Sequence, residues 1–467
     1  MESSIKSSGK ERPAKKTIVA VACLAAMGGV ALCVYCFLFA SDTPQGDGAE
    51  VEIVVAGPAG LAGSGTSVST VDLESEDESH VKSVSLEKIA DPHQKIEDPT
   101  GAMGTLYRAL RKLESGEDAR NVVRVLHYGD SILTTDELSG RVRQILQTRF
   151  GDGGHGFILL GKPWRWYKHL NVEHGARGKW RSRVLTSDPV SDGLYGLGGV
   201  AFEAQRGSHG KTWVGTVDEG SRVSGFDISY LEQPHGGSFD LSLDGEKIET
   251  ISTDAEEKRT VHKTVDVHGG RGKIGVEFNN DGVLRLFGAV MESGERGVVY
   301  DSLAINGARA SVLGRYDEEH WARELQRRDP SLVVLMFGAN EGANRFLVLR
   351  EYRVHLAKLI RTMRAALPDA SFLVVGPLDQ AKKKPGGTFD SWKMPRKLSK
   401  AQREVSLAEG CAFFDTWNAM GGKGSMGRWY RKGLGGGDLI HPTEHGARKI
   451  GNWLAEALLY GYQTFER

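Results

Sequence analysis

Val122-Val-Arg-Val-Leu-His-Tyr-Gly-Asp-Ser131 is the stretch on which the fold of this chain turns. Its apolar run predicts a buried strand over 122–128 that ends at Gly129. Leu138, Val142, Ile145 and Leu146 then recur at helical spacing, which predicts a helix over 138–150. Upstream, Leu106, Leu110 and Leu113 suggest a shorter helix. The same strand–helix rhythm resumes after Tyr300. Strands are expected over 331–337, 371–375 and 411–414, and helices over 352–367, 401–409 and 445–460. Alternation of this kind implies a parallel sheet with helices on both faces, an α/β architecture.

Between these two parts the texture changes. From 153 to 299 glycines are frequent and short alternating runs dominate, such as Ser238-Phe-Asp-Leu-Ser-Leu243 and Lys273-Ile-Gly-Val-Glu-Phe278. Asp244-Gly245 sits between two runs as a hairpin turn. The stretch predicts an antiparallel β-sandwich inserted into the α/β unit, which itself comprises 101–152 and 300–467.

The N-terminal part is of another kind. Residues 17–40 form an apolar run without a charge, long enough to cross a bilayer, which takes about 20 residues. Lys6, Lys10, Arg12, Lys15 and Lys16 precede it, so residues 1–16 are expected as a cytoplasmic basic tail and everything past Ala40 outside the cytoplasm. The competing reading is a cleaved secretory signal, but no small-residue cleavage site follows the run. Residues 41–100, rich in Gly, Ser, Asp and Glu, read as a solvated linker. Lys+Arg and Asp+Glu each total 60, and no basic stripe of the kind that nucleic acid requires is visible. Of four cysteines, Cys23, Cys33 and Cys36 lie in the apolar run and only Cys411 lies beyond it, so no internal disulfide can staple the folded part. No Cys/His cluster has metal-ligand spacing, and no metal ion or cofactor is expected.

Four clusters carry chemistry. Ser131 stands where a strand ends and a helix should begin, at the carboxyl edge of the sheet, with its own N–H placed to help hold an oxyanion. Alone, Gly129-Asp130-Ser131 also reads as a turn in which Asp130 or Ser131 caps a helix. Asp438-Leu-Ile-His441 precedes the last helix. A spacing of three lets Asp438 reach one imidazole nitrogen and leaves the other free to take a proton from a serine. Asn340, directly after a strand, offers a side-chain amide, and Gly307 offers an N–H with room for close approach. Each is common singly. Together they supply a nucleophile, a base with its orienting acid, and three oxyanion donors, the requirements of acyl transfer. Trp164, Trp166 and Tyr167 suit either sugar stacking or packing at the junction. His127 and Cys411 suit the core.

In that order, Ser131, Gly307, Asn340 and His441, with Asp438 three residues before the histidine, resemble the four blocks of the SGNH (GDSL-type) hydrolases. The long β-rich insertion, with Arg285-Leu-Phe-Gly-Ala-Val290 and Val298-Val-Tyr-Asp-Ser302 leading to the Gly block, resembles that of bacterial peptidoglycan O-acetylesterases. The resemblance implies a flavodoxin-like three-layer fold and a carbohydrate-binding, jelly-roll-like insert. It implies a serine esterase acting on an acylated glycan of the cell envelope, and the apolar run at 17–40 is what would tether that esterase to the cytoplasmic membrane, facing the periplasm or the outside of the cell. An O-acyltransferase with the same triad, or a non-catalytic glycan-binding protein, are the alternatives. The family usually has Asp after the oxyanion Asn; this chain has Glu341.

Overall fold

A computed structural model describes residues 80–84, 88–117, 122–217, 222–268 and 270–466. The expected basic tail, the apolar run at 17–40 and residues 41–79 of the linker lie outside the described residues. Among the described residues no helix is long and apolar enough to cross a membrane.

Five strands form a sheet that is parallel throughout. In chain order, with the principal helices, the elements are α1 (Gly104–Ser115), β1 (Val122–Gly129), α2 (Glu137–Phe150), β2 (Gly297–Ala304), α3 (Glu318–Arg328), β3 (Leu332–Met336), α4 (Leu349–Ala366), β4 (Ser371–Val375), α5 (Met394–Ala408), β5 (Ala412–Phe414) and α6 (Glu444–Thr464). The spatial order is β2-β1-β3-β4-β5, so β1 is flanked by β2 and β3 and strand order reverses beside it. Such a reversal opens a crevice at the carboxyl ends of the strands.

The strands read as continuous apolar runs because both faces are covered. Val333, Leu335, Phe372, Val374 and Phe413 face α3, α4 and α5 and the side of the β-rich region. Leu332, Val334, Leu373, Val375 and Phe414 face α1, α2 and α6. Helix α5 begins at Met394, earlier than the expected 401, because Pro395 sits in its first turn, where its missing N–H costs nothing.

Residues between α2 and β2 build two antiparallel sheets. One runs in the order Arg259–Asp266, Gly225–Glu232, Leu284–Glu292, Val200–Ala204, Arg181–Val184, with Gly154–Ile158 also paired to Leu284–Glu292. The other runs Val172–Gly178, Gly210–Thr216, Lys273–Phe278, Ser238–Leu243, Glu246–Ser252. Asp244 and Gly245 join the last pair with φ of 53° and 89°, the left-handed pair that suits a two-residue hairpin. The apolar interior of these sheets is continuous with one face of the parallel sheet.

One buried cation ties the two parts. Arg328 on α3 reaches Asp301 of β2 through two bonds of 2.6 and 2.9 Å and Glu292 of the last antiparallel strand at 2.5 Å. Asp301 also accepts the N–H of Phe157 in the first antiparallel strand at 2.7 Å. Arg124 of β1 grips Glu292 from the other side with two 2.8 Å bonds.

The expected linker ends too late. Glu97 exchanges backbone hydrogen bonds of 2.8 and 2.9 Å with Phe413 on the edge strand, and His93 stacks on Trp453 with ring centroids 4.2 Å apart. Ile89 and Ile96 pack on the core. The edge strand needs partners for its free N–H and C=O groups, and the Glu97 pairing, the His93 stack and the two isoleucines together seat the segment.

Arg328→Ala leaves the buried Asp301 carboxylate without its cation, while Glu292 keeps Arg124, so we expect it to lower stability by about 3–5 kcal/mol in urea unfolding. A loss below about 1 kcal/mol would mean that Asp301 finds another partner.

Candidate active site

The register of the sheet places the site. Gly129, the last residue of β1, stands opposite Ala304 of β2 and Met336 of β3, so the three strands end level. The chain after each end carries one cluster: Asp130-Ser131, Asn306-Gly307 and Gly338-Ala339-Asn340. Gly129 must be glycine, since a Cβ there would lie 2.5 Å from Leu133 Cδ1 and 2.8 Å from the Met336 carbonyl.

Asp130 is buried and fully engaged. Its Oδ1 accepts from Ile132 N at 3.1 Å, and its Oδ2 accepts from Gly338 N at 3.1 Å and Ala339 N at 2.9 Å. Burial raises its pKa, against the pull of these donors. The carboxylate both caps the helical turn Ser131–Leu133 and fastens the β1 loop to the β3 loop. The β3 loop is fastened in turn to the β2 loop: Asn340 Nδ2 donates to Ala308 O at 2.8 Å, and Glu341 Oε1 accepts from Ala310 N at 2.8 Å. Gly307 adopts φ of 72° in the β2 loop, exposed, with open space where a Cβ would point.

The imidazole arrives from the other side. The His441 loop ends at Thr443, which caps α6 by accepting from Gly446 N at 3.2 Å. Leu439 takes φ of 60°, costly for a branched side chain. That turn lets Asp438 Oδ1 accept from both Ile440 N at 2.9 Å and His441 N at 3.0 Å. Asp438 Oδ2 then lies 2.6 Å from His441 Nδ1, and His441 Nε2 lies 2.7 Å from Ser131 Oγ. Burial pushes the Asp438 carboxyl up, but the His441 ring and the two N–H groups outweigh it and hold the pKa below the usual range. Asp438 therefore stays ionised and accepts the Nδ1 proton, which leaves the Nε2 lone pair facing the Ser131 hydroxyl.

A cavity of about 390 Å³ opens over this pair, with Ser131, His441, Asp438, Asn306, Thr134 and Trp166 among its walls. The structure brings Ser131, His441 and Asp438 together; spacing along the chain accounts only for the Asp438–His441 contact. Gly307 and Asn340 are on the two strand ends beside Ser131, joined through Ala308. Trp164 and Tyr167 are buried packing, ring centroids 5.9 Å apart, whereas Trp166 is exposed. His127 is buried against the Tyr300 hydroxyl at 2.8 Å, and burial pushes its pKa down to about 3, so it is a neutral core residue. Cys411 is buried, its pKa pushed up to about 11 by burial, and is no thiolate. Among the described residues no His/Cys/Asp/Glu group is arranged to hold a metal ion. Asp130 caps the turn that follows it, as one reading of Gly129-Asp130-Ser131 has it, but its bonds to the β3 loop and the bond of Glu341 to Ala310 have no local sequence signal.

Glu341 is buried, with Oε2 unpartnered, and burial pushes its pKa up to about 7 from the ordinary 4.5, against the Ala310 N–H. A raised carboxyl pKa means that the folded state keeps a proton which the unfolded chain loses. The stabilising contribution is complete below pH 4.5 and is lost as pH rises towards about 7. Between those limits we expect the parent to lose about 3 kcal/mol relative to Glu341→Gln, which keeps the acceptor for Ala310. Urea unfolding of both from pH 4 to 8 checks it; parallel profiles would contradict it.

Residues 271–449 match the model of the GDSL-like lipase/acylhydrolase family. The match takes in Gly307, Asn340, Asp438 and His441 and begins after Ser131. No curated protein matches the chain. A solved structure of a peptidoglycan O-acetylesterase aligns over 79% of this chain and 99% of its own, with 21% identity and a TM-score of 0.66, which establishes a shared fold. A family two carbohydrate esterase from Clostridium thermocellum in complex with cellohexaose aligns over 59% and 97% at 13% identity, but its TM-score of 0.25 adds nothing. The chain thus carries, over residues 271–449, the pattern of the GDSL-like lipase/acylhydrolase family, on a fold shared with a peptidoglycan O-acetylesterase.

Proposed function

We propose that the protein is a serine esterase that removes acetyl or other short acyl groups from a polysaccharide of the cell envelope, with peptidoglycan the first candidate. The observation that carries the reading is the Ser131 Oγ–His441 Nε2–Asp438 relay, with links of 2.7 and 2.6 Å at the floor of an open cavity. Glycan as the substrate class draws support from the large antiparallel insert and from the fold shared with a peptidoglycan O-acetylesterase.

In this mechanism His441 takes the Ser131 proton as Oγ attacks the acyl carbonyl. The N–H groups of Ser131 and Gly307 and the Asn340 amide stabilise the oxyanion. Asn340 spends one amide hydrogen on Ala308 O and has a second to give. His441 then protonates the departing sugar oxygen. Water, deprotonated by the same imidazole, attacks the acyl-enzyme; the bond to Ser131 Oγ breaks, His441 returns the proton to that oxygen, and the acid is released. The tether at 17–40 would hold this domain outside the cytoplasmic membrane, within reach of wall glycan.

Acetate release from O-acetylated peptidoglycan and from an aryl acetate tests the proposal. Ser131→Ala should lower kcat at least a thousandfold on both, and Asn340→Ala on the order of 100-fold with little change in KM. Undiminished hydrolysis by Ser131→Ala would rule out the nucleophile. Acetyl groups recovered on an added glycan acceptor, with no free acetate, would make the protein a transferase.

A further inference from the structure

The cavity over Ser131 has one wall that the reaction itself does not use. Trp166 lines it at 53% exposure, while its neighbours Trp164 and Tyr167 are 8% and 5% exposed. A scattered exposed aliphatic residue needs no explanation, but an indole left in water inside a cleft does. Indole offers a flat, electron-rich apolar face whose natural partner is another flat or apolar surface.

Its backbone is held at both ends. Tyr167 N donates to Trp164 O at 3.1 Å, closing a turn, and the Tyr167 hydroxyl accepts from Leu159 N at 3.1 Å. Lys168 N donates to Thr134 O at 3.2 Å, three residues past the nucleophile. The Lys168 ammonium reaches the buried Glu137 at 2.7 Å, and Leu170 N donates to the buried Asp136 at 3.0 Å. Asp136 is clamped by Arg143 at 2.7 Å. The segment carrying Trp166 is thus stapled to the start of α2, the helix that follows Ser131. A loop held in place before the ligand arrives loses little conformational entropy on binding.

Resting on the esterase reading, we propose that Trp166 is the stacking platform for a pyranose ring of the substrate, on the sugar that bears the scissile ester or on its neighbour. The apolar C–H face of the ring lies on the indole. The acyl-bearing oxygen then points to the Ser131–His441 pair on the adjoining wall. Asn306, which lines the same cavity, would meet the ring hydroxyls. The segment belongs to the insert, which therefore supplies part of the site as well as a neighbouring β-domain. Trp166 is a substrate-positioning residue and takes no part in bond making.

Purified full-length protein, assayed on O-acetylated peptidoglycan and on 4-nitrophenyl acetate, tests this. For Trp166→Ala the ratio of kcat/KM on glycan ester to that on aryl acetate should fall roughly tenfold, carried by KM, and Trp166→Phe should restore most of it. Co-sedimentation of Ser131→Ala with insoluble peptidoglycan should weaken by a similar factor when Trp166→Ala is added. An unchanged ratio with unchanged co-sedimentation would overturn the proposal, as would a loss carried entirely by kcat on both substrates. If the parent cleaves neither ester but Trp166-dependent co-sedimentation persists, the esterase reading fails and the platform stands.

Discussion

Asp130 is the hinge on which the site-bearing edge of the sheet depends. A carboxylate out of water is costly unless donors surround it, and here three backbone N–H groups do so, one from its own loop and two from the loop after β3. The nucleophile block and the Asn block cannot drift apart without exposing that charge to an apolar interior. Asn340 and Glu341 extend the same constraint to the loop after β2 by bonding Ala308 and Ala310. Three strand ends that are level by register become one rigid platform.

A second buried carboxylate plays the matching role from behind. Glu137, at the start of α2, accepts from Lys168 of the insert at 2.7 Å and from Arg448 of α6 at 2.7 Å. The helix after the nucleophile, the helix after His441 and the segment carrying Trp166 therefore meet at one side chain. Close approach of α6 to α2 makes this feasible, since a Cβ on Gly451 would fall 2.7 Å from Leu138 O. The triad is thus assembled by packing between elements that lie more than 300 residues apart along the chain, as the Arg448–Glu137 separation of 311 illustrates.

The sheet strands were legible because a parallel sheet covered on both faces demands unbroken apolar runs, and Leu332–Met336 and Ser371–Val375 supply them. Asp438 and His441 were legible because a local turn sets their distance. Residues 88–100 were not, because their composition is polar and the contacts that seat them, Ile89 and Ile96 on the core, His93 on Trp453 and Glu97 on Phe413, are all with residues far away in the chain. The division of labour among Trp164, Trp166 and Tyr167 was not legible either, since three aromatics in a row carry no sign of which will be buried.

From sequence alone came the strand–helix alternation, the β-rich interruption and the candidate residues, because periodicity and turn chemistry are local properties. Tertiary structure alone decided that Ser131 and His441 face each other, that Glu341 is buried with a raised pKa, and that Trp166 turns outward. Those outcomes depend on strand register, on the α2–α6 contact and on which buried charges find partners. Such relations link residues far apart in the chain, and no local pattern encodes them.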